Sequence, residues 1–178
     1  TQRQFLLRPD ASTNAIFDYC LGEAAARFGI ELLAWKAMSN HYHAVVFDPH
    51  GRLAGFLEHL HKMLARTFNA RWGRKENLWS SDPTCVTYLP TAEAISEKIC
   101  YVLANPTTAN LVDRVSDWPG STSLFHLDGR STTHARPRSF FSANGTMPES
   151  SVLFVSQPSW SRAVESFGTW AASVRAGV

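Results

Sequence analysis

Two runs rich in strand-forming residues, "IELLAWKA" at 30–37 and "HYHAVVFD" at 41–48, are separated only by Met38, Ser39 and Asn40. So short a connection leaves one geometry, an antiparallel hairpin, because parallel strands need a crossover of a dozen or more residues. Helical periods flank the hairpin. Upstream, Ile16, Phe17, Cys20, Leu21, Ala24 and Phe28 recur at helical spacing over 13–28, with Gly29 as a stop. Downstream, after the Asp48-Pro49-His50-Gly51 turn, Leu53, Phe56, Leu57, Leu60, Leu64 and Phe68 mark one face of a helix over 53–72.

Residues 77–89 are predicted as loop followed by a short strand. Pro90-Thr91 then opens a helix over 91–105, ended by Asn105-Pro106 because the residue before proline disfavours helical backbone. The order helix, strand, strand, helix, strand, helix is that of an α+β fold, an antiparallel sheet covered by helices. Beyond Trp118-Pro119-Gly120 the composition turns to Ser, Thr, Gly and Arg. Residues 126–150 are predicted as irregular connection, and 160–174 as an amphipathic helix carrying Trp160, Phe167, Trp170 and Val174. Thr1 opens the chain inside what reads as a continuing element, which points to a trimmed N-terminus.

Composition narrows the class. With 178 residues, 44% of them hydrophobic and 18% charged, the chain can bury a core, and no apolar run spans a bilayer. Cys20, Cys85 and Cys100 are odd in number and lack C-x-x-C spacing, which argues against a disulfide or zinc framework and for a reducing, cytoplasmic setting. Net charge is only +2, yet residues 59–75 hold five Lys/Arg (Lys62, Arg66, Arg71, Arg74, Lys75) and no acid, with Phe68 and Trp72 interleaved. Basic groups beside aromatics suit phosphates and stacked bases. A solvated helix face over two core aromatics explains the same pattern.

His41 and His43 alternate in the second strand, so they project from one face about 7 Å apart along the chain. Two imidazoles side by side can chelate a divalent metal, although an H-x-H pair by itself is more often a hydrogen-bonded structural pair. In the 91–105 helix the apolar stripe is Ile95, Ile99, Val102 and Leu103. Tyr101 falls well off it, on the side of Glu97, Lys98 and Asn105. A rim tyrosine, and an asparagine ending a helix before proline, are the plain explanations.

"MSNHYHAVV" resembles the histidine–apolar–histidine motif of the HUH superfamily of single-strand DNA nucleases. "YVLANPTTANLV" followed by "WPGSTS" is similar to the tyrosine helix of its single-tyrosine transposases, in particular the REP-associated branch, where a tyrosine four residues before Asn-Pro is the nucleophile. The resemblance covers residues 1–125, leaving 126–178 as a Ser-rich connection and C-terminal helix. It departs from the family at Tyr42, in the apolar middle position, at "TTANLV" after Asn-Pro, and in the first strand, absent or reduced to Thr1–Leu7.

The resemblance implies a ferredoxin-like or RRM-like sheet with the histidines on a central strand. It implies Tyr101 as the nucleophile leaving a 5′-phosphotyrosine, and His41, His43 and Asn105 as ligands of Mg²⁺ or Mn²⁺. It also implies single-stranded or hairpin DNA as partner, held by Lys62, Arg66, Arg71, Arg74 and Lys75, with Trp72 or Trp79 stacking on bases, by a monomer or homodimer. Two other classes fit part of the pattern: a domesticated DNA-hairpin binder that does not cut, and a metal-dependent hydrolase using the histidines alone. The latter leaves the placement of Tyr101 unexplained and lacks carboxylate ligands.

Overall fold

The computed structural model describes residues 1, 4–138, 140–142 and 144–178. Helix α1 spans Ala11–Phe28. The Asp10 carboxylate accepts from the Thr13 amide at its start, and Gly29 ends it at φ 67°, a left-handed conformation that glycine adopts without penalty. Strand β1 (Glu31–Ala37) pairs antiparallel with β2 (Tyr42–Phe47), with Ala37 opposite Tyr42 and Lys36 opposite His43. The hairpin is as predicted, with one difference: the loop runs from Met38 to His41, closed by the Met38 amide donating to the His41 carbonyl at 2.8 Å. His41 therefore lies just outside the strand.

Helix α2 (Leu53–Trp72) starts where both oxygens of Asp48 accept backbone amides, Oδ1 from His50 and Oδ2 from Leu53. It packs on α1, and a buried carboxylate joins the two: Glu23 accepts from Arg27 and from His59, each at 2.7 Å. Alternation along β2 divides the helices. Tyr42 meets Phe17 of α1 and His61 of α2, so α1 and α2 cover that face of the hairpin. His43 and Val45 point to the opposite face, which α3 (Ala92–Thr108) covers with Ile99, Val102, Leu103 and Pro106.

Two expectations are corrected along this stretch. Residues 77–89 form no strand; Ser80–Tyr88 are exposed throughout, so their strand-like alternation has neither core nor ladder to join. Helix α3 does not stop at Asn105. Proline lacks only its own amide, and near a C-terminus the remaining bonds hold: the Ala109 amide donates to Asn105 and that of Leu111 to Pro106. Of the two outcomes expected for the first strand, absence is the one found among the described residues of 1–7; Leu7 donates its amide to the Ser39 carbonyl and buttresses the hairpin loop.

The C-terminal part is more ordered than predicted. Within the supposed irregular region, β3 (Thr132–Ala135) pairs antiparallel with β4 (Ser150–Leu153) and lies on α1. There the Ser151 hydroxyl donates to the Tyr19 carbonyl, and Gly22 is required because a Cβ would sit 2.9 Å from the Val152 carbonyl oxygen. The single helix predicted over 160–174 is two, α4 (Ser159–Arg162) and α5 (Phe167–Ala176). The break arises where Ser166 caps α5 by accepting from Thr169. Trp170, Ala171 and Val174 of α5 join the same core as α1 and β1, and α5 rests against α3.

The class is α+β, with two antiparallel sheets of two strands each among the described residues. Among the described residues β2 pairs with β1 alone, so the histidine-bearing strand is not central. It is β1 that has company on both sides, through a bridge from Lys36 to Thr122 and the Ser156 amide on the Leu32 carbonyl. Among the described residues no helix is long and apolar enough to cross a membrane.

Candidate functional site

Helix α3 buries Ile99, Val102 and Leu103 against the hairpin, which turns its flank, with Tyr101 and Asn105 one turn apart, toward β2. Four of the side chains singled out in the sequence meet there. His41 Nε2 and His43 Nε2 are 3.1 Å apart, their rings edge-to-face. His41, just outside the strand, sets its ring edge-to-face with that of His43. Asn105 Nδ2 is 3.4 Å from His43 Nε2. The Tyr101 ring stands edge-to-face on His43 at 5.9 Å, and the residue is 47% exposed, open to a partner from solvent.

The donor count is informative. Asn40 Oδ1 lies 2.6 Å from His41 Nδ1, so that nitrogen carries the proton and Nε2 of His41 presents a lone pair. If His43 Nε2 is bare, it faces that lone pair. If it is protonated, it faces the Asn105 amide donor. Turning the Asn105 amide to present its oxygen lets a protonated His43 Nε2 serve both neighbours; with His43 Nε2 bare, the same turn leaves two nitrogen lone pairs and an amide oxygen directed together, a donor set able to hold a cation. Donors on adjacent corners of an octahedron with bonds of about 2.1 Å stand about 3.0 Å apart, close to the spacing of the two ring nitrogens.

Electrostatics favour the same use. Burial, then the charges of His41 and Lys98, lower His43 to about 4, and partial burial lowers His41 as well, so both rings are neutral at pH 7 and free to donate lone pairs. No cluster of three or more His, Cys, Asp or Glu able to hold a metal occurs among the described residues. The available set is two imidazoles and one amide, a mixed nitrogen and oxygen environment that suits Mn²⁺ at least as well as Mg²⁺.

The other singled-out residues are dispersed. Lys62, Arg66 and Lys75 are exposed. Arg71 pairs with Asp10 at 2.8 Å and donates to the Thr13 hydroxyl, tying α2 to the start of α1. Its guanidinium also lies over the Trp72 ring, whose Nε1 donates to the Leu6 carbonyl. Arg74 donates to Gln4 and approaches Glu76. Trp79 is half-buried, its Nε1 on the His61 carbonyl and its ring against His61 and Tyr42. Tyr42 also shares a 2.7 Å hydrogen bond with His61 Nε2, which accounts for a hydroxyl in the apolar middle position.

Two residues of the site escape a reading of the sequence. Asn40 reads as a turn former, and only the fold of the loop brings it to His41. Lys98 lies three positions before Tyr101, a spacing that puts both on one helix face, but the spacing does not reveal that its Nζ stands 4.6 Å from the Tyr101 ring centroid. No family model, curated protein or solved structure matches this chain.

Proposed function

We propose that this protein is a DNA nicking-and-joining enzyme of the single-tyrosine HUH type, with its histidine pair at the edge of the hairpin rather than on a central strand, acting on single-stranded or hairpin DNA in the cytoplasm as a monomer or homodimer. The observation that carries the reading is the meeting of Tyr101 with His41, His43 and Asn105: a phenol open to solvent beside two neutral imidazoles and an amide.

In this reading the Tyr101 oxygen attacks phosphorus. The Tyr101 O–P bond forms, the P–O3′ bond breaks, and a 5′-phosphotyrosine and a free 3′-hydroxyl result. Because the phosphodiester energy is kept in the covalent link, the reverse attack rejoins a strand without a nucleotide cofactor. His41, His43 and Asn105 would hold Mg²⁺ or Mn²⁺, which supplies Lewis-acid polarisation of the phosphate when bound. Asn40 fixes the tautomer of His41. Lys62 and Arg66, exposed on α2, would hold the DNA backbone.

The test is a labelled single-stranded hairpin oligonucleotide with Mn²⁺, resolved on a denaturing protein gel. A covalent adduct from the wild type, lost in Tyr101→Phe, is expected. Binding without an adduct would favour the non-cleaving binder, and cleavage that survives Tyr101→Phe would favour a hydrolase.

A further inference from the structure

Among the described residues the candidate site has two neutral imidazoles and no carboxylate partner, yet a phosphodiester brings a negative charge that grows as the fifth bond to phosphorus forms. Among the described residues, one lysine acts on this site. Lys98 stands one turn before Tyr101 on the same face of α3, its Nζ 4.6 Å from the phenol ring centroid, and its charge reaches His43 on the neighbouring strand. None of the positions that could pair with it along the helix (Ala94, Ile95, Tyr101, Val102) is acidic. No carboxylate and no hydrogen-bond acceptor partners its ammonium among the described residues. Burial is partial, so the group can meet a ligand from solvent. A cation left without a counter-ion beside a solvent-facing phenol and a pair of imidazoles is an arrangement completed by an anion.

We propose that Lys98 is a catalytic residue of this site, its ammonium binding a non-bridging oxygen of the phosphate that Tyr101 attacks. The assignment rests on the nuclease reading above and adds to it the group that meets the growing charge. Lys98 keeps its proton throughout. The phenolic proton of Tyr101 passes to solvent, the Tyr101 O–P bond forms as the P–O3′ bond breaks, and the 3′ oxygen takes a proton from solvent. A preformed cation aimed at charge that develops during reaction accelerates the chemical step more than it tightens binding.

The experiment uses the full chain, a labelled hairpin oligonucleotide and Mn²⁺, with single-turnover adduct formation as the readout. Lys98→Met, which keeps the length of the side chain without its charge, is expected to slow the step by about a hundredfold. Affinity for the same oligonucleotide, measured in the Tyr101→Phe background with and without Lys98→Met, is expected to fall by less than about tenfold. Lys98→Arg should recover much of the lost rate, which a merely structural contact between Lys98 and the ring would not require. Adduct formation by Lys98→Met within about threefold of wild type would overturn the assignment. So would a loss that follows a drop in Tm and is not recovered by Lys98→Arg. No adduct from the wild type would instead refute the nuclease reading, and the role of Lys98 with it.

Discussion

Lys36 offers a sharp test of how the hairpin is buried. It stands on β1 opposite His43, on the face covered by α3, with 0% of its surface exposed. Its Nζ has no hydrogen-bond partner among the described residues, and burial lowers it from 10.5 to about 8. A downward shift of a lysine means the folded state releases its proton first. Between pH 8 and 10.5 the unfolded chain binds more protons, so stability rises with pH through that window, and below pH 8 the full penalty is present. At 1.36 kcal/mol per unit, the penalty at pH 7 is about 3 kcal/mol. Lys36→Met keeps an unbranched side chain and removes the charge. It is expected to stabilise the protein by that amount, raising Tm by about 6–12 °C for a chain of this size. Thermal unfolding followed by circular dichroism at pH 7 measures it, and at pH 10 the gap between variant and wild type should shrink to about 1 kcal/mol. An unchanged or lower Tm at pH 7 would refute the reasoning, since it would mean that the ammonium is solvated or paired in the folded protein.

Other outcomes concern the candidate site. Asn40→Ala frees the tautomer of His41 and is expected to weaken Mn²⁺ binding, read by calorimetry, by about tenfold or more without loss of fold; unchanged affinity would remove Asn40 from the site. Because His43 is held near 4 and His41 is lowered, Mn²⁺ affinity should fall by less than about tenfold between pH 7.5 and 5.5. Two histidines at the ordinary value would lose about a hundredfold over that range, and a loss of that size would show that burial does not protect the pair.

Local patterns carried much of the fold. The hairpin, α1, α2 and the start of α3 follow from apolar spacing, short connections and caps whose causes lie within a few residues. What the sequence concealed depends on distant partners. β3 and β4 are four residues each, and their pairing rests on Gly22 and Tyr19 of α1, more than a hundred positions away. Conversely, 77–89 has the alternation of a strand but nothing to pair with. Pro106 misled because the rule against proline concerns helix interiors, where it removes a bond and meets a carbonyl, whereas a terminal turn tolerates it. At the candidate site the histidine pair, Tyr101 and Asn105 were legible as residues, and periodicity put the last two on one helix flank. That His41 leaves the strand, that Asn40 turns to it and that Lys98 lies against the phenol were not, because a loop conformation and a rotamer decide them. The basic run of α2 shows the opposite error. Its charge was plain, but the intramolecular partners that engage Arg71 and Arg74 became visible only in the fold.

The central claim is that the phenol of Tyr101 takes up the broken strand. Trypsin releases residues 99–114 as one peptide, bounded by Lys98 and Arg114, in which Tyr101 is the only tyrosine. Mass spectrometry of the digested adduct, after nuclease trimming of the DNA, should find the added 5′-nucleotide on that peptide and nowhere else. A strand cut to an ordinary 5′-phosphate with this peptide unmodified, or a nucleotide carried by Tyr42 or Tyr88, would contradict the account.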